Sequence, residues 1–346
     1  MNKTVIRQFI LKHSLTRELF FFFGKRKTNL KKIDNLIAKR NIQIADKKAD
    51  NVIVSLTSYG ARIAELKYTL YSLVVQSVRP EKIIVNLAFE DEKYLNEELT
   101  FFEKYGVEFS FCKNTRSYKK LLPTLERFPN KCIVTTDDDM YYERNWLQGL
   151  YEEHLLYPND VCGHLAYKII HNNKNIKPYS EWIHNYKATC EDKSIFLIGC
   201  NGILYPSECF HKDILNENLY MTLAPFADDI WFYFMTILNG TLVRQVKNPI
   251  RNLRFVNPYR EYGIVSGSTL TQQNVGENKN DIQFRNVFTH YGISEQKFID
   301  YIDGKIERLL KLCPLSSTPP SSPSPKPNFS NPSTVASSSP QTSINW

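Results

Sequence analysis

From Asn51 onward the chain alternates short apolar runs with segments of helical period, and that alternation leaves few folds open to it. Val52-Ile53-Val54-Ser55-Leu56 has the length of a strand. Leu66 to Gln76 follows with Leu66, Leu70, Leu73 and Val74 at helical spacing, and Pro80 closes it. Lys82-Ile83-Ile84-Val85-Asn86-Leu87 reads as a second strand and Gly106 to Cys112 as a third. Lys119 to Phe128 reads as a helix and Lys131 to Thr136 as a fourth strand. Strands alternating with helices of this length predict an α/β fold, Rossmann-like, with a mostly parallel mixed sheet flanked by helices. Further on, Trp146 to Leu156 and Ala227 to Leu238 read as helices, Val161 to Ala166 and Leu242 to Val246 as strands. Ile195 to Leu204 is apolar around Gly199 and Gly202. Lys168 to Lys193 is polar, aromatic and irregular, which suits substrate-facing loops.

Composition sets the outer limits. The 346 residues suffice for one large domain with appendages, and 42% hydrophobic with 13% aromatic residues is a globular balance. Residues 1–48 read as a basic, helical, amphipathic extension, 49–312 as the α/β domain and 313–346 as a Ser/Pro-rich tail too poor in apolar groups to order itself. In the extension Val5, Ile6, Phe9, Ile10 and Leu11 interleave with Lys3, Arg7, Lys12 and Arg17. Such a helix either lies on an anionic bilayer or packs its apolar face on the domain behind it. The net charge of +8 points to anionic partners such as nucleotides, phosphates or a membrane surface, without singling out nucleic acid. The seven scattered cysteines form no C-x-x-C pair, which predicts a reducing compartment and no zinc site. No run of 18 apolar residues predicts a membrane span, and the Phe20–Phe23 cluster is too short and too charged at its flanks for a signal peptide.

The fourth strand runs directly into Asp137-Asp138-Asp139. Three adjacent carboxylates repel one another, and a chain tolerates them where they meet water or a cation. At the carboxyl end of a strand, where open α/β sheets place their ligands, they predict hard oxygen ligation of a divalent metal. Three other segments carry chemistry. Ser55 to Ile63 places Thr57, Tyr59 and Arg62 in a strand-to-helix loop suited to stacking on a base and pairing with phosphate. That loop lacks the glycine and lysine patterns of dinucleotide and P-loop sites. Asn114 to Lys120 brings cations, Lys119 among them, in front of the helix that leads to the aspartates. Asp228-Asp229 opens a helix, where it serves either as a cap or in catalysis.

In order and spacing these segments resemble bacterial sugar-nucleotide glycosyltransferases of the GT-A fold, in the group related to glycosyltransferase family two. The resemblance covers about residues 51 to 292. It rests on Val54-Ser55-Leu56-Thr57-Ser58-Tyr59, Ser72-Leu73-Val74-Val75-Gln76-Ser77 and Pro80-Glu81-Lys82-Ile83-Ile84-Val85. Thr136-Asp137-Asp138-Asp139-Met140-Tyr141, Gly199-Cys200-Asn201-Gly202-Ile203-Leu204-Tyr205-Pro206 and Ala227-Asp228-Asp229-Ile230-Trp231 strengthen it. It implies that Asp139 and Asp137 bind Mn²⁺ or Mg²⁺ and that Asp137 and Asp138 face the donor. It also implies that Asp228 or Asp229 is the base of an inverting transfer, and that His290 is a candidate further metal ligand.

The implied substrates are a nucleoside-diphosphate sugar, UDP-sugars favoured, and a surface-glycan or lipid-linked acceptor of capsule or lipopolysaccharide type. The implied place is the cytoplasmic face of the membrane, reached through residues 1–48. Two departures stand out. Asn86-Leu87-Ala88 occupies the place where the family carries an aspartate pair after its second strand, so base recognition is expected to differ. The Q-x-x-R-W motif of processive enzymes is absent, which implies addition of a single sugar. A nucleotidyltransferase, a retaining transferase and a non-catalytic glycan- or membrane-binding module remain the alternatives.

Overall fold

In the computed structural model the described residues are 30–188, 191–257 and 278–310. The first half follows the expected alternation: α1 (Leu30–Ala38), β1 (Lys48–Thr57), α2 (Leu66–Val74), β2 (Arg79–Ala88), β3 (Val107–Cys112), α3 (Leu122–Arg127) and β4 (Cys132–Thr135). Next come β5 (Met140–Tyr141), α4 (Trp146–Leu156), β6 (Val161–Gly163), β7 (Ala166–Lys168), β8 (Ile183–Tyr186), β9 (Ile195–Leu197) and β10 (Ile203–Tyr205). The chain continues through α5 (Glu217–Leu223), α6 (Asp228–Leu238), β11 (Val243–Gln245), β12 (Arg254–Phe255), α7 (Lys279–His290) and α8 (Glu295–Ile302).

Seven strands form the main sheet in the order β11-β6-β10-β4-β1-β2-β3. The pairs β1–β2, β1–β4, β2–β3 and β6–β11 are parallel, and β10 runs antiparallel to both β4 and β6. Side chains alternate across the sheet as strand geometry requires. Cys132 and Val134 of β4 join the core under α2 and α4, whereas Ile133 joins the core built on α6 and α7. Leu204 of β10 faces the first core, Ile203 and Tyr205 the second.

The parallel strands β1, β2, β3 and β4 all point their carboxyl ends to one edge. The loops that follow them therefore converge there, and antiparallel β10 brings in the residues that precede it.

Three elements differ from the sequence reading. The helix expected over Lys119–Phe128 divides into a tight turn, Arg116–Lys120, and α3, because Pro123 can start a helix but cannot continue one. The single strand expected over Val161–Ala166 is two, in different sheets, because the chain leaves the main sheet at His164. That ring is fully buried, receiving the Ile250 N–H at Nδ1 (3.1 Å) and bonding Trp146 O from Nε2 (2.9 Å).

The segment read as irregular contributes β8, which with β7 and β9 makes an antiparallel sheet in the order β8-β7-β9. The described part of the basic extension packs inward, one of the two readings left open for it: Ile33 and Ile37 of α1 and Ile42 lie in the core with β1 and α2. Residues 1–29 and the tail from Lys311 are outside the described residues, as are Cys190 and Cys313. The five described cysteines are free, and among the described residues no helix is long and apolar enough to cross a membrane.

Candidate active site

The loops after β1 and β4 close on each other through Asp138. Its carboxylate receives Ser58 Oγ (2.5 Å) and Arg62 Nε (3.1 Å), with a further ion pair to the Arg62 guanidinium. The same guanidinium lies 2.9 Å from Asp139. Arg62, expected to meet phosphate, thus clamps two of the three aspartates. The turn is also held by its backbone: Thr69 Oγ1 donates to Asp138 O (2.7 Å) and Val256 N, just beyond β12, donates to Asp139 O (2.7 Å). Asp138 is 7% exposed and shapes the turn, while Asp137 keeps its side chain 35% open.

Lys120 joins this turn to the start of α6. It is buried, and its Nζ lies 2.8 Å from Asp228, 3.3 Å from Asp137 and 3.5 Å from Asp229. The three carboxylates hold its pKa well above the ordinary lysine value against the opposing effect of burial. The N-cap of α6 is Ala227, with no side-chain cap bond, so the two aspartates are not spent as caps. Asp229 receives the Gly199 N–H (2.9 Å), and its pKa is raised to about 6, chiefly by burial and further by the Asp228 charge, against the pull of Lys120.

The glycines of the Gly199–Gly202 segment follow from this packing. A Cβ at Gly199 would stand 2.4 Å from Asp229 Oδ1 and 2.9 Å from Lys120 Nζ. Gly202 sits at φ +94°, and a Cβ there would strike Trp146 at 2.3 Å. Tyr142 ties the two halves again: its hydroxyl accepts the Asp137 N–H (2.8 Å) and donates to Cys200 O (2.9 Å).

The expected gap after the second strand is closed by a longer strand. β2 runs to Ala88, so Asn86 lies inside it, buried and bonded to Ser55 Oγ (3.2 Å) and Thr124 Oγ1 (2.8 Å). The acid at the strand's end is Asp91, which is buried and accepts the Gly60 N–H (2.9 Å). Lys119 is buried on that side, bonded to Asn114 Oδ1 (3.4 Å), with its pKa lowered by burial against the charge of Asp91.

Thr57 spends its hydroxyl on Asn86 O (2.7 Å). Tyr59 is 55% exposed with the Arg62 guanidinium 5.3 Å from its ring, and Phe89 is 64% exposed at the end of β2. Both exposed aromatics follow neighbouring strands, β1 and β2. His290 does not join the aspartates. α7 turns Phe284, Val287 and Phe288 inward and leaves His290 exposed at its last position, its ring 4.8 Å from Tyr291.

Among the described residues no group of three or more His, Cys, Asp or Glu could by itself hold a metal ion. The donor chemistry nonetheless suits a hard divalent cation, Mn²⁺ or Mg²⁺, on Asp137 and Asp139, completed by substrate or water. Among the described residues, Arg62 contacts Asp138 and Asp139, and Lys120 contacts Asp137, Asp228 and Asp229.

Arg62, Asp137, Asp138, Asp139, Asp228 and Asp229 are thus gathered at one edge, with Thr57, Tyr59 and Lys119 beside them. Lys120 and Asp91 were missed. The signal for Lys120 was its place in the Asn114–Lys120 segment, and for Asp91 its place soon after an apolar run.

No protein-family model matches the chain, and no curated protein does. Among solved structures it is similar to 4-diphosphocytidyl-2C-methyl-D-erythritol synthase from Anaerococcus prevotii, with 14% identity over 62% of this chain and 92% of that one, TM-score 0.36. It is similar to residues 1–349 of TarS from S. aureus, with 18% identity over 62% of each chain, TM-score 0.40. A third is CMP:2-keto-3-deoxy-manno-octonic acid synthetase in complex with CTP, with 10% identity over 62% of this chain and 95% of that one, TM-score 0.37. At these values the likenesses carry no chemistry across, and the functional reading rests on the site.

Proposed function

We propose that the protein is a metal-dependent, inverting glycosyltransferase that moves one sugar from a nucleoside-diphosphate donor to a surface-glycan or lipid-linked acceptor. The observation that carries this reading is the placement of Asp229. It is a 25% open carboxylate with a raised pKa, joined through Lys120 to the Asp137–Asp139 turn. A transfer of this kind needs a base on one side of the anomeric carbon and a site for a departing diphosphate on the other. Asp228, 10% open and held at 2.8 Å by Lys120, is the less available of the two acids.

Asp229 takes the proton of the acceptor hydroxyl as its oxygen bonds to the anomeric carbon, and the carbon–oxygen bond to the diphosphate breaks with its electron pair leaving on the diphosphate. Attack opposite the leaving group inverts the configuration. A divalent ion on Asp139 and Asp137, when bound, stabilises the charge of the leaving diphosphate. Tyr59 and Phe89 stack on the base. UDP is the favoured nucleotide through the resemblance alone.

The nucleotidyltransferase alternative lacks support here, because its triphosphate needs free glycine amides after the first strand. The Gly60 N–H is already spent on Asp91. The test is the anomeric configuration of the sugar first released when the enzyme hydrolyses its donor, read by NMR before mutarotation. Inversion agrees with the proposal; retention rejects the role given to Asp229.

A further inference from the structure

The sheet of β7, β8 and β9 carries an aromatic surface whose rings are not used by the chemistry above. Tyr167 and His184 stack in parallel, 4.2 Å apart with planes 9° from each other. Tyr179 lies 5.9 Å from Tyr167 and 6.3 Å from His184. Beneath them Trp182 and Phe196 are buried, at 4.8 Å and 6.2 Å from Tyr179. His184 is exposed, and Tyr167 and Tyr179 are half-buried. Tyr167 and Tyr179 pack against this core, and His184 is held by its stack on Tyr167, so a ligand that lies on them orders little that is not already ordered.

Two independent connections fix this surface beside the acidic cleft. Tyr167 pairs with Phe196 in the sheet, and three residues beyond Phe196 the chain reaches Gly199, whose amide holds Asp229. At the other end, Asn185 of β8 bonds Asn252 (3.3 Å) and its carbonyl accepts from Arg251 (2.7 Å). From there the chain enters β12, which pairs with β5 directly after Asp139. The sheet thus reaches from the base to the metal-binding turn. The charge of Asp229 is felt at the Tyr179 phenol, whose pKa is raised first by burial, then by Tyr167, then by Asp229.

We infer that the Tyr167–His184 stack, with Tyr179, is the platform on which a pyranose ring of the acceptor lies with one hydroxyl turned towards Asp229. A pyranose has an apolar C–H face and a rim of hydroxyls. It matches an aromatic shelf edged by the polar Asn185, Asn252 and Arg251, whereas a plain alkyl alcohol would leave that edge unused. This inference rests on the transferase reading, which it sharpens by giving the acceptor a chemical class and a place.

Saturation-transfer NMR on the full chain, with methyl α- and β-glycosides of glucose, galactose, mannose and N-acetylglucosamine, tests it. Hydrolysis of nucleotide sugars is followed in parallel. The expected result is saturation of the C–H protons on one face of at least one glycoside. Its binding should weaken about fivefold to tenfold in His184→Ala and Tyr167→Leu and recover in His184→Phe, which restores a ring. Donor turnover with no glycoside binding, or with binding indifferent to these changes, overturns the platform and leaves the transferase reading standing. Ring-dependent glycoside binding with no turnover of any donor overturns both, since the surface would then serve a glycan-binding module.

Discussion

Lys120 places its ammonium 2.8 Å from Asp228 in the interior, and among the described residues no other cation contacts Asp228 or Asp229. The lysine also reaches Asp137, so one buried charge holds the turn after β4 and the start of α6 in register.

Removing that charge leaves three carboxylates facing one another. Lys120→Met should destabilise the protein by about 3–5 kcal/mol, the usual result of breaking a buried pair from one side. Lys120→Arg should recover part of the loss. Denaturant unfolding of both variants checks the order; equal stability of Lys120→Met and wild type would show that the cation does not hold the site together.

Asp229→Asn separates chemistry from stability. Catalytic turnover should fall by about 10²–10⁴-fold, the usual contribution of a general base. Stability should move the other way. The raised pKa means that the folded state binds this proton more tightly than the unfolded state does. The resulting cost is absent below about pH 4, grows up to about pH 6 and is constant above. The variant should therefore be more stable than wild type by about 3 kcal/mol at pH 8, with the advantage gone near pH 4. In the wild type, kcat/KM should fall tenfold per pH unit below about pH 6, and thermal melts and rate profiles across that range test both statements.

Asp139→Asn should raise the Mn²⁺ concentration needed for half-maximal activity by about tenfold or more, since it removes a charged hard-oxygen ligand. Chelation should abolish turnover in the wild type, and added Mn²⁺ or Mg²⁺ should restore it. Activity indifferent to both treatments would remove the metal from the account.

Residues 1–29 carry seven lysines and arginines against one acid, Glu18. Each cation near an anionic surface contributes about 1 kcal/mol. Sedimentation with phosphatidylserine vesicles should therefore retain the full chain and release a form that begins at Leu30, with the difference shrinking in high salt. Cutting at 48 instead would strip Ile33, Ile37 and Ile42 from the core, so the test belongs at residue 29. Equal, negligible binding of both forms would end the membrane proposal.

The fold was legible because apolar runs such as Val52–Leu56 and Ile83–Leu87 are long enough to fix both strand and face. The short strands were not. β6 and β7 are three residues each, and only the buried ring of His164 marks where one sheet ends and the next begins. At the candidate site, the aspartates could be read from their placement after a strand. Lys119 and Lys120 could not be told apart, because adjacent residues of a tight turn point to different sides: one meets Asn114 and the other the aspartates. β2 ends one residue later than expected, at Ala88, and Asp91 was overlooked because it lies in the turn beyond, outside the apolar run. The partner of Arg62 was equally hidden, since a guanidinium suits phosphate and carboxylate alike.

The most direct measurement is release of the nucleotide from a panel of UDP-, GDP- and dTDP-sugars (as diphosphate) and CMP-sugars (as CMP) by the full-length protein, with and without Mn²⁺. The account predicts that at least one diphosphate sugar is consumed, only with metal, and that Asp139→Asn abolishes consumption at low metal concentration. Release of pyrophosphate from a nucleoside triphosphate, with every nucleotide sugar left intact, would contradict it.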